Sequence, residues 1–257
     1  VTAAETTFRL AAPEFFVLWQ AVNGEEHPVP LGTPHVGATR AERAELVATC
    51  SRTLTARGLG TVERPDAELE ALVRALVQHD RCLDLVFSHR GETARAVAAA
   101  GWSGVFAARV GAEVHLRSFR STALASATVE TLPVSPAGSG RAANVRWDDF
   151  VAAGAAGERD GAQGFLEVLR DAGLREPEAN TLMRAVTTRR GGGQVGLTER
   201  TRNGHLRPTG RTVSWIDTGE GRYLAQRAGG WLVLAPTDRA RLTSAVEDLL
   251  ADAGRGR

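Results

Sequence analysis

Six histidines, two cysteines and a few adjacent carboxylates are the residues of this 257-residue chain from which a catalytic or metal centre would be built. His27 and His35 flank a loop rich in proline and glycine. A metal site there would want a cysteine pair, an HExxH helix or a carboxylate cluster, and none is near. His79, His89, His115 and His205 are scattered along the chain. A catalytic triad assembles in space, so a hydrolase or transferase remains a competing reading, although no GxSxG elbow supports it. Asp148 and Asp149 open a helix, where the positive end of the dipole favours carboxylates. Asp217 heads the turn "DTGEG", whose residue types accept turn geometry. "GGGQVG" at Gly191–Gly196 matches the dinucleotide fingerprint in letters. That fingerprint needs a strand before it and a helix after it. Here a helix precedes and a strand follows, so the glycines read as a helix stop and a turn. No cofactor and no metal are expected.

Composition narrows the function classes. All the basic residues are arginine, balanced by 30 acids to a net charge of +1. Acids interleave with arginines, as in "RAERAE", which is a solvated surface and not the clustered basic face of a nucleic-acid binder. No apolar run approaches the ~20 residues of a membrane helix, and the first ten residues carry no signal-peptide pattern. Cys50 lies on an apolar helical stripe and Cys82 beside a strand. Both read as buried free thiols in a reducing cytoplasm.

These residues must be held by recognisable elements. Pro13 opens a helix on which Phe15, Leu18, Trp19 and Val22 share a face. Thr39 and Glu42 form a capping box for a second helix, which Gly58 stops. Asp66 caps a third, with Leu69, Leu72, Val73, Leu76 and Val77 as its apolar stripe. Four short strands follow: "LDLVFSH", "TARAVAAAG", "SGVFAARVG" and "AEVHLRSF". Val134–Asn144 reads as an exposed, mobile linker of small residues. After it the programme repeats. "WDDFVAAGA" starts a helix, Phe165, Leu166 and Leu169 sit on a second, and Pro177 opens a third carrying Leu182, Met183 and Val186. The strands "GQVGLTER", "RTVSWID", "GRYLAQRAG" and "GWLVLAP" come next, and a last helix carries Leu242, Val246, Leu249 and Leu250.

The halves also share wording. "PEFFV" echoes "WDDFV", and "GVFAARVGAEVHL" echoes "GRYLAQRAGGWLVL", setting Phe106 against Tyr223, Gly111 against Gly229 and Leu116 against Leu234. The reading is a pseudo-twofold duplication: a half-repeat over 1–133, the linker 134–144, and a second half-repeat over 145–252.

Three segments then carry a family likeness: "FRLAAPEFFVLWQAV" with "PVPL"; "GATRAERAELVATCSRTLTARGL"; and "RGGGQVGLTERTRNG" with "RTVSWIDTGEGRYLAQRAGGWLVLAPTD". Together they resemble the EspG family of ESX (type VII) secretion-associated proteins of actinobacteria, in order and over nearly the whole chain. The resemblance implies an α+β fold, with a central, mostly antiparallel sheet flanked by two helical bundles. It implies a cytosolic chaperone, not an enzyme, that grips the helical tip of a PPE protein in a PE–PPE pair; PPE-like and WXG-type proteins are the further partner classes. The chain is expected to be a monomer or weak homodimer, free of nucleic acid and membrane. A homodimerising structural or regulatory module is the other competing reading.

On that likeness, a groove between the sheet and the C-terminal helices would take the partner. Met183 and Val186 on the third C-terminal helix, and Leu197, Trp215 and Tyr223 on the sheet, are the candidate contacts. Arg200, with Arg189 and Arg190, would rim it, where charge tunes partner choice. A charge placed at Trp215 or Met183 is expected to weaken binding without unfolding the chain. The strand pair around "ETARAVAAAGWSG" leaves little room for a long connecting loop.

Overall fold

The computed structural model describes residues 7–24, 31–32, 36–89, 91–201 and 205–253. His27 and His35 lie outside them. The chain is α+β, and each half runs through the same order of elements. In the first, strand β1 (Thr7–Ala11) leads to helices α1 (Ala12–Asn23), α2 (Arg40–Ala56) and α3 (Ala67–Ala75). Strands β2 (Arg81–His89), β3 (Glu92–Ala100), β4 (Gly104–Val110) and β5 (Glu113–Phe119) follow, then helix α4 (Leu124–Val129). In the second, β6 (Ala143–Arg146) leads to α5 (Trp147–Asp171) and α6 (Glu176–Thr187). Then come β7 (Arg189–Arg200), β8 (Leu206–Thr218), β9 (Arg222–Ala228), β10 (Trp231–Pro236) and α7 (Arg239–Ala253). The strands form one ten-stranded sheet in the order β1-β5-β4-β3-β2-β7-β8-β9-β10-β6, so each half closes on its own leading strand.

Two compact units are apparent. One gathers the chain up to Val86 with Ala94–Thr128 and Leu197–Thr209; the other gathers Phe87–Thr93, Val129–Gly196 and the chain from Gly210 on. Neither is a contiguous half, because the β2–β3 hairpin tip and the β7–β8 connection are exchanged between them.

In the first unit the local signals act as their chemistry requires. Thr39 Oγ1 accepts from Glu42 N at 3.2 Å and Glu42 Oε2 from Thr39 N at 3.1 Å. Asp66 accepts from the amides of Glu68 and Leu69. Gly58 leaves α2 with φ +72°. Phe15, Phe16, Leu18 and Trp19 of α1 pack with Leu10 of β1, Val105 and Ala107 of β4 and Val114 and Leu116 of β5. The carboxylate of Glu14 is buried beneath this layer. It accepts from Ala11 N at 2.9 Å, Thr53 Oγ1 at 2.5 Å and Arg57 Nη2 at 2.7 Å, and these bonds offset its desolvation.

In the second unit, Tyr223, Leu232, Leu234, Ala143 and Val145 form the sheet side of a core closed by Phe165, Leu169, Leu182 and Ala185 of α5 and α6. α5 is two helical segments joined at Gly161, whose φ of +66° and ψ of −155° break the helix.

Several sequence expectations change here. Strands β1 and β6 and helix α4 had no reading of their own, since four to six residues carry too little periodicity to declare themselves. Val134–Asn144 is not a free linker. Gly138 N donates to Arg222 O at 2.9 Å, Tyr223 Oη to Ser139 O at 2.9 Å, and Arg141 N to Thr181 Oγ1 at 3.1 Å. Gly191 and Gly192 do not stop a helix; they lie inside β7. A Cβ on either would come within 2.4 Å of a carbonyl oxygen, of Ser88 or of Trp215, so glycine is what lets the backbones approach. In the hairpin echo, Gly111 and Leu116 do match Gly229 and Leu234, and only the Phe106–Tyr223 pairing shifts by one residue. Val110 pairs with Glu113 and Ala228 with Trp231 across matching turns, which sets Val105, and not Phe106, in the place of Tyr223.

Gly138 carries a prediction of its own. A Cβ there would sit 2.2 Å from Cζ of Tyr223. Gly138→Ala is expected to cost about 1–3 kcal/mol through overpacking, read as a lower urea midpoint at unchanged slope.

Candidate functional site

An open apolar site lies in the second unit, between the two segments of α5 and the facing side of α6. It is a groove of about 380 Å³ lined by Gly154, Gly157, Glu158, Gly161, Ala162 and Phe165 from α5, and by Met183, Val186 and Thr187 from α6. Its origin is local. The spacing of Gly154 and Gly157 puts both on one helical face, Gly161 sits at the break between the two segments, and the missing side chains leave Met183 partly open to solvent. Val186 remains 43% exposed beside them. Glu158 is the one charged group of the lining.

Of the candidate contacts, Met183 and Val186 line this groove. The others do not. Leu197 and Trp215 are each 2% exposed and Tyr223 is 0% exposed, so the chain itself covers them. The reason is local: where β8 meets β9 both sides of the sheet are covered, so alternation carries an aromatic from one covered side to the other. Ile216 and Tyr223 pair across β8 and β9 and face α5 and α6, which turns Trp215 the opposite way. Arg200, in the first unit, is half-buried. Its Nε donates to His79 O at 3.0 Å and its Nη2 to Val77 O at 2.6 Å, tying β7 to the end of α3. Arg189 and Arg190 are exposed. The residues that sequence reading missed are Gly154, Gly157, Glu158, Gly161, Ala162, Phe165 and Thr187 as groove lining. The available signal was a pair of glycines three residues apart inside one helical segment, Gly154 and Gly157, with a third, Gly161, at its break.

The motif "SWIDTGEGRY" has a different task. Arg222 is 2% exposed, and its guanidinium forks onto Asp217, Nε to Oδ1 at 2.6 Å and Nη2 to Oδ2 at 3.2 Å. The indole Nε1 of Trp215 donates to the same carboxylate at 3.1 Å. Arg222 Nη2 also reaches Pro133 O at 3.2 Å. Asp217 is therefore more than the turn former expected of it. The turn itself is closed by Thr218, whose Oγ1 accepts from the amides of Glu220 and Gly221.

Among the described residues, the reactive side chains meet only in small groups: Cys82 and Thr198 at Asp84, and His115 at Glu113. Burial, then the nearby Glu14 carboxylate, pushes the Cys50 thiol up; burial, then Asp84, pushes Cys82 well up, so both stay protonated at neutral pH. Asp84 is itself raised by burial, against hydrogen bonds from Thr198 and Cys82. His115 pairs with Glu113 at 2.8 Å on β5. Among the described residues, no group of three or more His, Cys, Asp or Glu could hold a metal ion, and no helix is long and apolar enough to cross a membrane.

His79 is buried, and among the described residues neither ring nitrogen meets a hydrogen-bond partner. Burial, then the charge of Arg200, lowers its pKa below the ordinary 6.5; the nearby Leu76 carbonyl and Asp80 offset this only in part. The folded chain thus resists a proton that the unfolded chain accepts as pH falls through 6.5. Stability is expected to decline on acidification below that point, by at most about 1.4 kcal/mol per pH unit from this group. Chemical denaturation at several pH values checks it: His79→Leu should flatten the profile between neutrality and mild acid.

The groove lies in a chain whose residues 11–248 match the family model described as the EspG family. The chain belongs to the EspG family. A solved structure of the Mycobacterium tuberculosis type VII secretion system chaperone EspG5, in complex with the PE25–PPE41 dimer, superposes on this EspG-family chain with a TM-score of 0.73. The match covers 95% of this chain and 96% of that one at 17% identity, a likeness of fold. A comparison with curated proteins gives no match.

Proposed function

We propose that this EspG-family chain is a non-enzymatic chaperone of type VII secretion. It binds the helical tip of PPE-like substrates, alone or in PE–PPE pairs, in the cytoplasm, keeps them soluble and directs them to the secretion system. The observation that carries this reading is an open apolar groove between α5 and α6 in a chain of this family. EspG5, which shares the fold, was solved with a PE25–PPE41 dimer, and this supports the partner class. Met183 and Val186, which line the groove, are the contacts proposed for the partner.

The physical logic is burial. An apolar helix tip left in water favours self-association. Covering it gains roughly 25 cal/mol per Å² of apolar area, much of which association costs absorb. We further propose that the chain is one domain built from half-repeats 1–133 and 145–252.

Co-expression with PPE-like and WXG-type proteins encoded nearby, followed by size exclusion, tests the function. A soluble complex containing a PPE-like protein is expected. If none co-elutes across a range of salt, and the chain instead runs as a stable homodimer, the dimerising-module reading replaces this one.

A further inference from the structure

The two outer strands of the sheet, β1 and β6, hold matching places in the two units, and their free edges differ. Ala11 pairs with Glu113 and Arg146 with Trp231, each partner lying two residues past the positive-φ glycine of a hairpin turn, Gly111 or Gly229. Ala11 therefore matches Arg146, and Arg9 matches Asn144. On β1 the outward backbone groups are taken. The amide of Ala11 donates to Glu14 Oε2 at 2.9 Å, and the carbonyl of Arg9 accepts from Arg57 Nη1 at 2.7 Å. Thr53 and Arg57 both donate to the Glu14 carboxylate and hold it there.

The second unit does not form that lock. Ala12 N donates to Ala112 O and Trp147 N to Gly230 O, each at 2.8 Å, so Asp149, one methylene shorter, stands where Glu14 does. The helix ends align the rest. Gly58 N and Leu59 N donate to Thr55 O and Leu54 O, as Gly173 N and Leu174 N do to Arg170 O and Leu169 O. Val168 then stands for Thr53 and Ala172 for Arg57, so the hydroxyl and the guanidinium are gone. Arg146 is an N-cap without a side-chain bond, and among the described residues nothing bonds the outward groups of Asn144. Backbone groups along a strand alternate between its two edges. The amide and carbonyl of Asn144 and the amide of Arg146, both exposed residues, therefore lie along a free edge. Such an edge is a template for another strand.

We propose that the free edge of β6 pairs with the β6 edge of a second copy of this chain, antiparallel about a twofold axis at Asn144, giving a weak homodimer. The side chains single out a second copy. About that axis Asn144 faces its twin and Arg146 faces Ala142, so no like charges meet. The small alanine leaves room for the Arg146 guanidinium, which lies over Trp231 at 5.8 Å from its ring. Val145 falls beside Ala143, both buried, so the apolar layer under the strands continues across the seam. On the outer side the half-exposed Val233, the β10 neighbour of Asn144, flanks the amide pair in both copies. An edge of four residues buries little surface, which keeps the association weak. Pairing one edge with itself leaves no β6 edge free and closes at two copies.

Sedimentation equilibrium of the chain alone tests this, so the result stands apart from the function proposed above. A chain monomeric near about 1 µM should be largely dimeric by about 1 mM. Asn144→Pro removes the outward amide, a change that edge strands tolerate, and should abolish the dimer at unchanged circular dichroism. Asn144→Lys and Asn144→Glu set like charges across the axis and should each weaken self-association about fivefold. Mixed in equal amounts, the two should associate again as a heterodimer, because opposite charges then face each other. A folded Asn144→Pro chain that still dimerises overturns the inference and gives the contact to another surface. If proline disturbs folding, the charge pair decides: a mixture that associates no better than its components overturns it. A natural chain that stays monomeric at about 1 mM also overturns it, and loss of PPE-like co-elution in Asn144→Pro would then give the edge to that partner.

Discussion

Alanine in place of Asp217 is expected to cost about 3–5 kcal/mol of folding stability, the largest single effect anticipated for this chain. Arg222 would keep its positive charge at 2% exposure with its fork partner gone. The Trp215 indole would lose its acceptor as well. The backbone of Arg222 makes the damage wider: its carbonyl accepts from Gly138 N and Thr237 N, each at 2.9 Å, and its amide donates to Pro136 O at 2.8 Å. A buried ion pair is weak evidence of net stabilisation, because apolar residues of similar volume often serve as well. Removing one partner is the costly event. For a chain of this size the loss corresponds to a fall in melting temperature of roughly 10 °C. Denaturant unfolding at neutral pH measures it. A loss under about 1 kcal/mol would mean that the pair behaves as a surface ion pair does.

The second large effect concerns binding. Met183→Glu sets a carboxylate against Phe165 and beside Glu158 in the groove. The loss of apolar contact and the like charge act together against an apolar helix end. A hot-spot loss of about 2 kcal/mol or more, some 30-fold in affinity, is expected for the PPE-like partner. Met183 is only partly buried, so the fold should hold. Trp215 offers no such experiment. It is an interior residue tied to Asp217, and a charge there is expected to unfold the chain, not to loosen a partner selectively. Titration by calorimetry against the co-eluting partner decides the point: unchanged affinity for Met183→Glu in a folded chain sets the groove aside as a binding surface.

Much of the fold was legible from short-range chemistry. Thr39 with Glu42, Asp66, and Gly58 act within a few residues of themselves, so their effect on helix ends needed no tertiary information. The alternation in "RTVSWID" and "GWLVLAP" marked strands for the same reason. The motif order that carried the family likeness is likewise a property of the chain as written. What escaped was short or borrowed. β6 declared itself only by pairing with β10, and Gly138 only by lying against Tyr223.

The sequence by itself determined the longer elements and the family, because helix caps, turns and hydrophobic period are set by neighbours along the chain. The tertiary structure alone decided which side of the sheet each aromatic faces and whether anything covers it. That is why Trp215 and Tyr223 became core while Met183 and Val186 became surface. It also decided that Arg222 is interior, since burial of a charge depends on a carboxylate arriving in the right place. The groove is the extreme case: it is a space between two helices, made by side chains that Gly154 and Gly157 lack, and an absence has no period for a sequence pattern to display.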